Sequence, residues 1–244
     1  MAVPAEALRI VQLGLQAAER AGCKSQFVLS LGYPDVLASP AQIGSLFGAE
    51  IAEALEYRPD SEKVARVHGM APGTRIVDSG RLMALLGYDL EVLDVVQAQG
   101  GEMLHDLNEP VPVRLHRRYA LVIDPGTLEH CFNIGQAASN LAEMVAPGGC
   151  MFHGNPLNLF NHGFYNLNPT WYHDFYAANG FAVELIEGVT DPVNDPKRFD
   201  VPPIERFVGV PKGASLYVLA RRVADVPIRW PIQSKYASNW GLGR

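Results

Sequence analysis

The chain has 244 residues, 48% hydrophobic and 19% charged, which is ample for one core and fits one domain across 1–244. A net charge of −6 with no Lys/Arg cluster argues against a phosphate-backbone partner, so no nucleic acid is expected. No apolar run approaches the ~20 residues of a membrane span, so no membrane partner is expected either.

At the start, Met1–Ile10 has no basic region followed by a long apolar core, and no signal peptide is read there. Ala5–Ala21 carries Leu8, Val11, Leu15 and Ala18 among polar residues, a helix stopped at Gly22. Phe27–Leu31 is the first strand, turned by Gly32-Tyr33-Pro34-Asp35. Ser39-Pro40 opens a second helix as N-cap and first position, and Ala49–Tyr57 and Arg81–Leu86 read as further helix. Leu90–Val96 is the second strand, with Asp94 inside it; residues 33–89 before it are expected to form an insertion folded over one edge of the sheet. His105–Pro112 follows, in which Asp106 suits an Asx turn.

Next comes Tyr119-Ala-Leu-Val-Ile-Asp124, an apolar run ending on a carboxylate. Pro125-Gly126-Thr127 turns the chain into Leu128-Glu129-His130. Ile134, Ala137, Ala138, Leu141, Met144 and Val145 mark one face of a helix, which Pro147-Gly148-Gly149 is expected to end. Cys150–His153 is a second short strand, so the order is a βαβ unit with parallel strands. Asn155–Tyr176 is rich in amides and aromatics; Phe181–Ile186 alternates as a strand; Thr190–Pro211 reads as a long loop; Ser215–Arg221 is the last strand. The tail 225–244, with Trp230, Tyr236 and Trp240, is expected to dock on the body or on a second subunit.

Asp124, Leu128-Glu129-His130, Asn140-Leu141, Pro147-Gly148-Gly149 and Asn179-Gly180-Phe181 stand in an order that resembles class I S-adenosylmethionine-dependent methyltransferases, over roughly 90–222. The resemblance implies an α/β, Rossmann-like, doubly wound and mostly parallel sheet with flanking helices, here with a helical insertion after the first strand. It implies S-adenosylmethionine as cofactor and a last strand paired with the preceding one as an antiparallel edge. It also implies that Gly32 lets backbone approach the cofactor, that Asp94 takes the ribose hydroxyls, that Asp106 and Leu107 meet the adenine, and that Asp124 lies near the methionine part. The loop after the first strand departs from the family's pattern, since Gly32 is its only glycine.

The histidines carry the remaining chemistry. His130, His153 and His162 fall at or after strand ends, among Asn155, Asn158 and Tyr165. His162, then His130, suits a general base near neutral pH, while His153, Asn155, Asn158 and Tyr165 are expected to touch the substrate. No His-x-x-x-His or Cys-x-x-Cys pair occurs, so no metal is expected. Cys23, Cys131 and Cys150 form no disulfide framework, which fits a reducing, cytoplasmic setting. The expected function is methyl transfer to a small hydroxylated or amino acceptor, of the kind found in glycan or natural-product pathways, with a homodimer left open. The alternative is a methyltransferase-like chain that does not methylate: a binding subunit, or an enzyme using the histidines for another reaction.

Overall fold

In the computed structural model, which describes residues 1–237, a short strand β1 (Ala2–Val3) leads into helix α1 (Ala5–Arg20). Strand β2 (Phe27–Leu31) follows, then β3 (Asp35–Val36), which pairs with β1. Four helices come next, α2 (Pro40–Phe47), α3 (Ala49–Glu53), α4 (Ser61–Val67) and α5 (Ser79–Leu85). Ser39 caps α2 as its sequence requires, with Gln42 completing a reciprocal capping box. Strands β4 (Asp89–Asp94), β5 (Met103–Leu104) and β6 (Tyr119–Asp124) precede a 3-10 turn at Leu128–His130. Helix α6 (Ile134–Met144), strand β7 (Val145–Pro156) and helix α7 (Pro169–Ala178) complete the central unit. Strands β8 (Phe181–Thr190), β9 (Lys197–Asp200) and β10 (Ser215–Arg222) and helix α8 (Ser234–Ala237) end the described chain.

Among the described residues one sheet runs in the order β5-β4-β2-β6-β7-β10-β8-β9. The pairs from β5 through β7 are parallel, and β10 runs antiparallel to both β7 and β8. The six sequence-expected strands all lie in this sheet. β6 is buried along its whole length, as a central parallel strand covered on both faces must be. Alternation divides its side chains: Val122 joins the core under α6 and α7, while Leu121 and Ile123 join the core under α1. Gly14 lets α1 approach closely, since a Cβ there would stand 3.0 Å from Leu121 Cδ1.

Three expectations change. Pro147-Gly148-Gly149 does not end α6, which stops at Met144; the segment is the irregular start of β7, where the register against β6 shifts. Gly149 is required there by the approach of the neighbouring backbone rather than by a helix cap. The stretch 190–211 is not all loop, because Lys197–Asp200 pairs with β8 as an edge strand, its Phe199 ring lying over Gly188. A lone apolar residue among charges hides such a strand from pattern reading, and charge is what an exposed edge favours. The last strand is antiparallel but interior, between β7 and β8.

Residues 33–89 pack chiefly on the α1 face: Ile43 and Leu82 join that core, and Leu37, Val64 and Ile76 form a small one of their own. Buried Arg58 ties the segment together through Asp35 at 2.5 Å and Asp60 at 2.8 Å. The tail from 225 is held where Arg229 N donates to Asn179 Oδ1 at 2.6 Å and Ser234 N to Asp174 Oδ2 at 2.8 Å. Trp240 lies outside the described residues. No helix among the described residues is long and apolar enough to cross a membrane.

A Cβ on Gly149 would lie 2.8 Å from Tyr119 O, 2.9 Å from Ala120 O and 3.0 Å from Ala146 O. Backbone oxygens cannot swing aside as a side chain can. Gly149→Ala should therefore destabilise the fold by ~1–3 kcal/mol, the usual cost of overpacking. Urea unfolding measures it, and an unchanged midpoint would mean that the β6–β7 junction yields freely.

Candidate functional site

The carboxyl ends of β2, β4 and β6 open onto a cavity of about 220 Å³. Gly32, Asp94, Leu107, Thr127 and His130 line it, together with Met1. Gly32 has φ +74 and donates its N–H to Leu93 O at 2.9 Å, so it turns the chain off β2 while staying tied to β4. Asp94 Oδ1 accepts from Val95 N at 2.7 Å and Val96 N at 3.2 Å. Its Oδ2 faces Gly32, 3.5 Å from where a Cβ would be. The loop carrying Leu107 is pinned from α6: Asn140 Nδ2 donates to Leu107 O at 3.0 Å and Glu109 O at 2.8 Å, and Asn140 Oδ1 accepts from Val111 N at 3.1 Å. A larger cavity of about 510 Å³ lies at the other end of β2, between α1 and the turn after α5.

Beneath the carboxyl ends lies a buried polar network. Asp124 Oδ2 is 2.7 Å from His153 Nδ1, and His153 Nε2 is 2.6 Å from the Tyr176 hydroxyl. The Asn155 amide donates to Asp124 Oδ2 at 2.9 Å and to Glu129 Oε2 at 2.8 Å, and Asn155 Oδ1 accepts from the Tyr172 hydroxyl. Asp124 Oδ1 accepts from Thr127 N at 2.7 Å. Burial alone would raise the Asp124 carboxyl; the hydrogen bond and charge of His153, with Thr127 N–H and Asn155, outweigh it and hold the group below the usual carboxylate range. Glu129 has no such cation in contact. Burial first, then the Asp124 charge, push it up to about 7. Burial likewise pushes both tyrosine hydroxyls well up, so they stay protonated. His153 thus bridges the Asp124 carboxylate and the Tyr176 hydroxyl, with its Nδ1–H donating to Asp124.

Above the network, two half-exposed histidines converge on Glu129. Its Oε1 is buried without a hydrogen-bond partner, 3.4 Å from His162 Nε2 and 3.8 Å from His130 Nε2. The two rings are 5.2 Å apart between centroids. Partial burial, then the neighbouring His162, lower the His130 pKa. Two glycines make the convergence feasible. A Cβ on Gly163 would stand 2.8 Å from both Glu129 Cγ and Glu129 O, and one on Gly126 would stand 3.2 Å from Oε1. Phe164 N donates to Glu129 O at 2.9 Å, zipping the His162 loop onto the 3-10 turn, and Asn161 takes φ 61 to make the bend. Exposed Phe132 and Phe164 meet edge to face at 5.4 Å beside it.

The structure brings Gly32, Asp94, Leu107 and His130 together around the cavity, and His162 beside His130. Five expected contacts with ligand are corrected. Asp124, His153 and Asn155 are fully buried with their polar groups engaged inside the protein, so they support the site from below rather than touch cofactor or substrate. Asn158 clamps the 211–214 backbone, donating to Pro211 O at 2.8 Å and accepting from Ala214 N at 2.7 Å. Tyr165 donates its hydroxyl to Phe132 O at 2.9 Å and packs on the core. Asp106 is exposed between the cavity-lining His105 and Leu107, and its Oδ1 accepts from Asn108 N at 2.9 Å, an Asx turn. Tyr172 and Tyr176 escaped sequence reading, although their four-residue spacing already put them on one face of α7.

His153→Ala would strand the Asp124 carboxylate in the core. It should cost ~3–5 kcal/mol, the scale for removing one partner of a buried pair. Tyr176→Phe removes one hydrogen bond and should cost ~1–2 kcal/mol. Denaturant unfolding of both variants checks the order; equal, small losses would mean that the backbone N–H groups alone satisfy Asp124.

No protein-family model matches the sequence, and no curated protein matches it. Solved structures are similar at low identity. One is the Burkholderia thailandensis 1,6-didemethyltoxoflavin-N1-methyltransferase, with bound 1,6-didemethyltoxoflavin and S-adenosylhomocysteine: 12% identity, 88% of this chain and 79% of that one covered, TM-score 0.43. A second is the 16S rRNA (adenine(1408)-N(1))-methyltransferase from Catenulisporales acidiphilia, at 13% identity, 87% and 94% coverage and TM-score 0.39. A third is a SAM-dependent methyltransferase from Thermotoga maritima, at 12% identity, 88% and 90% coverage and TM-score 0.38.

Proposed function

We propose that the chain transfers a methyl group from S-adenosylmethionine to a small hydroxylated or amino acceptor. The observation that carries this is the adjacency of the Gly32–Asp94–Leu107 cavity to the His130–His162 pair at the carboxyl ends of the parallel strands. The residues fit the cofactor. Asp94 offers a carboxylate oxygen into the cavity for a ribose diol, Leu107 an apolar wall for a ring, and Gly32 a place where backbone can come close. Bound there, S-adenosylmethionine would supply an electrophilic methyl on a sulfonium. The chain itself must align the acceptor and remove its proton. His162 and His130 are half-exposed and near enough to each other for one acceptor to reach either. Phe132 and Phe164 offer faces to cover it. Displacement at a methyl group needs alignment above all, and the His162 loop is fixed to Glu129 by its backbone. The acceptor would be a small molecule, and the buried free thiols of Cys131 and Cys150 support a reducing, cytoplasmic setting.

One observation favours a second reading, a methyltransferase-like chain that does not methylate because its cofactor pocket is closed. The Met1 side chain lies against Gly32, its Cγ 2.6 Å from where a Cβ would be, and so narrows the cavity.

Calorimetry with S-adenosylmethionine and S-adenosylhomocysteine separates the two. Binding should be seen, and Asp94→Ala should weaken it by ~1.5–3 kcal/mol, as for hydrogen bonds to a charged group. No binding by the wild-type chain would leave the second reading. With an acceptor in hand, His162→Ala should slow turnover by ~10²–10⁴-fold at near-constant cofactor affinity. His162→Gln keeping most of its activity would instead mean that the histidine only aligns.

A further inference from the structure

We propose that Glu129, His130 and His162 form a binding site for a divalent transition-metal ion. Sequence spacing hides it, because Glu129-His130 and His162 come from different loops. The fold brings Glu129 Oε1, a His130 ring nitrogen and a His162 ring nitrogen within 4.8 Å of one another. Zinc lies ~2.0–2.2 Å from nitrogen and oxygen ligands, so two ligand atoms on one ion stand ~3.0–3.5 Å apart. The observed 3.4 Å from Glu129 Oε1 to His162 Nε2 meets that spacing. The 3.8 Å to His130 Nε2 needs only a small turn of a half-exposed ring.

The second observation is Glu129 itself. Its side chain is 1% exposed, yet Oε1 has no hydrogen-bond partner. A buried carboxylate oxygen left bare is costly, and both histidine contacts exceed hydrogen-bond length. Its other oxygen is held by Asn155, which Tyr172 and Asp124 orient in turn. Metal-ligating carboxylates carry outer partners of this kind. Gly126 and Gly163 leave no room for a side chain that would block the approach.

Two imidazoles and one carboxylate suit zinc, manganese or cobalt rather than calcium or magnesium. Three protein ligands leave coordination positions open, and His130 also lines the cavity, so the site lies beside it. Resting on the methyl-transfer proposal, such an ion would hold the acceptor oxygen and ease loss of its proton, in place of a free histidine base.

The test uses the full chain, stripped with a chelator and dialysed. Cobalt is followed by its visible absorption and zinc by calorimetry. One ion per chain should bind, with an absorption band typical of nitrogen ligation. His130→Ala and His162→Ala alter exposed side chains, and circular dichroism confirms that they fold. Each should weaken binding at least ~100-fold, beyond the range for loss of an outer partner, and abolish the band. Glu129→Gln should do the same while keeping the side chain's shape. A wild-type chain that binds either ion no more tightly than the His130→Ala/His162→Ala double variant overturns the proposal. Ion binding without S-adenosylmethionine binding would sink the methyl-transfer proposal and leave the metal site standing. Cofactor binding and turnover unaffected by ion stripping, with no ion bound, would do the reverse.

Discussion

Two carboxylates, Asp124 at the tip of β6 and Glu129 just past it, lie buried, and the surrounding structure is arranged to tolerate them. Each ion costs several kcal/mol to remove from water unless paired. Asp124 is compensated in full: one oxygen takes backbone N–H groups from the turn that follows it, and the other takes His153 and Asn155. Glu129 is compensated by half, with one oxygen held by Asn155 and the other bare. The same amide thus bridges both carboxylates, and only an amide can, because its two N–H groups donate in two directions while its oxygen accepts from Tyr172. The asymmetry leaves Asp124 charged and Glu129 poised near neutrality, with its bare oxygen turned to the two histidines. Structure and surface separate on that line: Asp124 ties the strand ends together, and Glu129 faces the two histidines.

The glycines serve this arrangement at particular points. Gly163 admits the His162 loop against Glu129, and Gly126 clears the space beside Oε1. Gly32 does similar service for the cavity between β2 and β4, where the Met1 side chain lies against it. The two halves of the site meet at His130, which lines the cavity and also faces Glu129.

Much of the architecture was legible because parallel central strands are apolar on both faces. Tyr119–Asp124 and Phe27–Leu31 admit little else. The candidate site was legible only at its surface. Gly32, His130 and His162 follow strand ends visible in the sequence, and Asp94 lies within the second strand. His153 and Asn155 were misplaced because β7 continues to Pro156, three residues past the expected end. Alternation carries the correct answer: His153 and Asn155 share a face with buried Met151, so in a sheet covered on both sides they point inward. What alternation cannot give is the partner. Tyr172 and Tyr176 reach these residues only because α7 packs across that face, a long-range fact with no local signature. Glu129 with the two histidines is hidden for the same reason, since the ligand set is assembled from two loops.

The helix that supplies those tyrosines is itself fixed from outside. Asn179, at the end of α7, holds Arg229 through both its amide groups, donating to Arg229 O at 3.0 Å and accepting from Arg229 N. Asp174, within α7, accepts from Ser234 N. The tail therefore grips α7 at two levels about a helical turn apart, which restrains both rotation and sliding of the helix. Rotation matters most, because Tyr172 and Tyr176 lie on one stripe and would leave Asn155 and His153 together. A restrained α7 keeps Asn155 oriented, an oriented Asn155 keeps one Glu129 oxygen occupied, and the other oxygen is thereby aimed at the histidines. The surface groups sit on a 3-10 turn and a bent loop, which alone would define them loosely. Their geometry is set instead by a carboxylate anchored in the sheet and by a helix clamped from its far side.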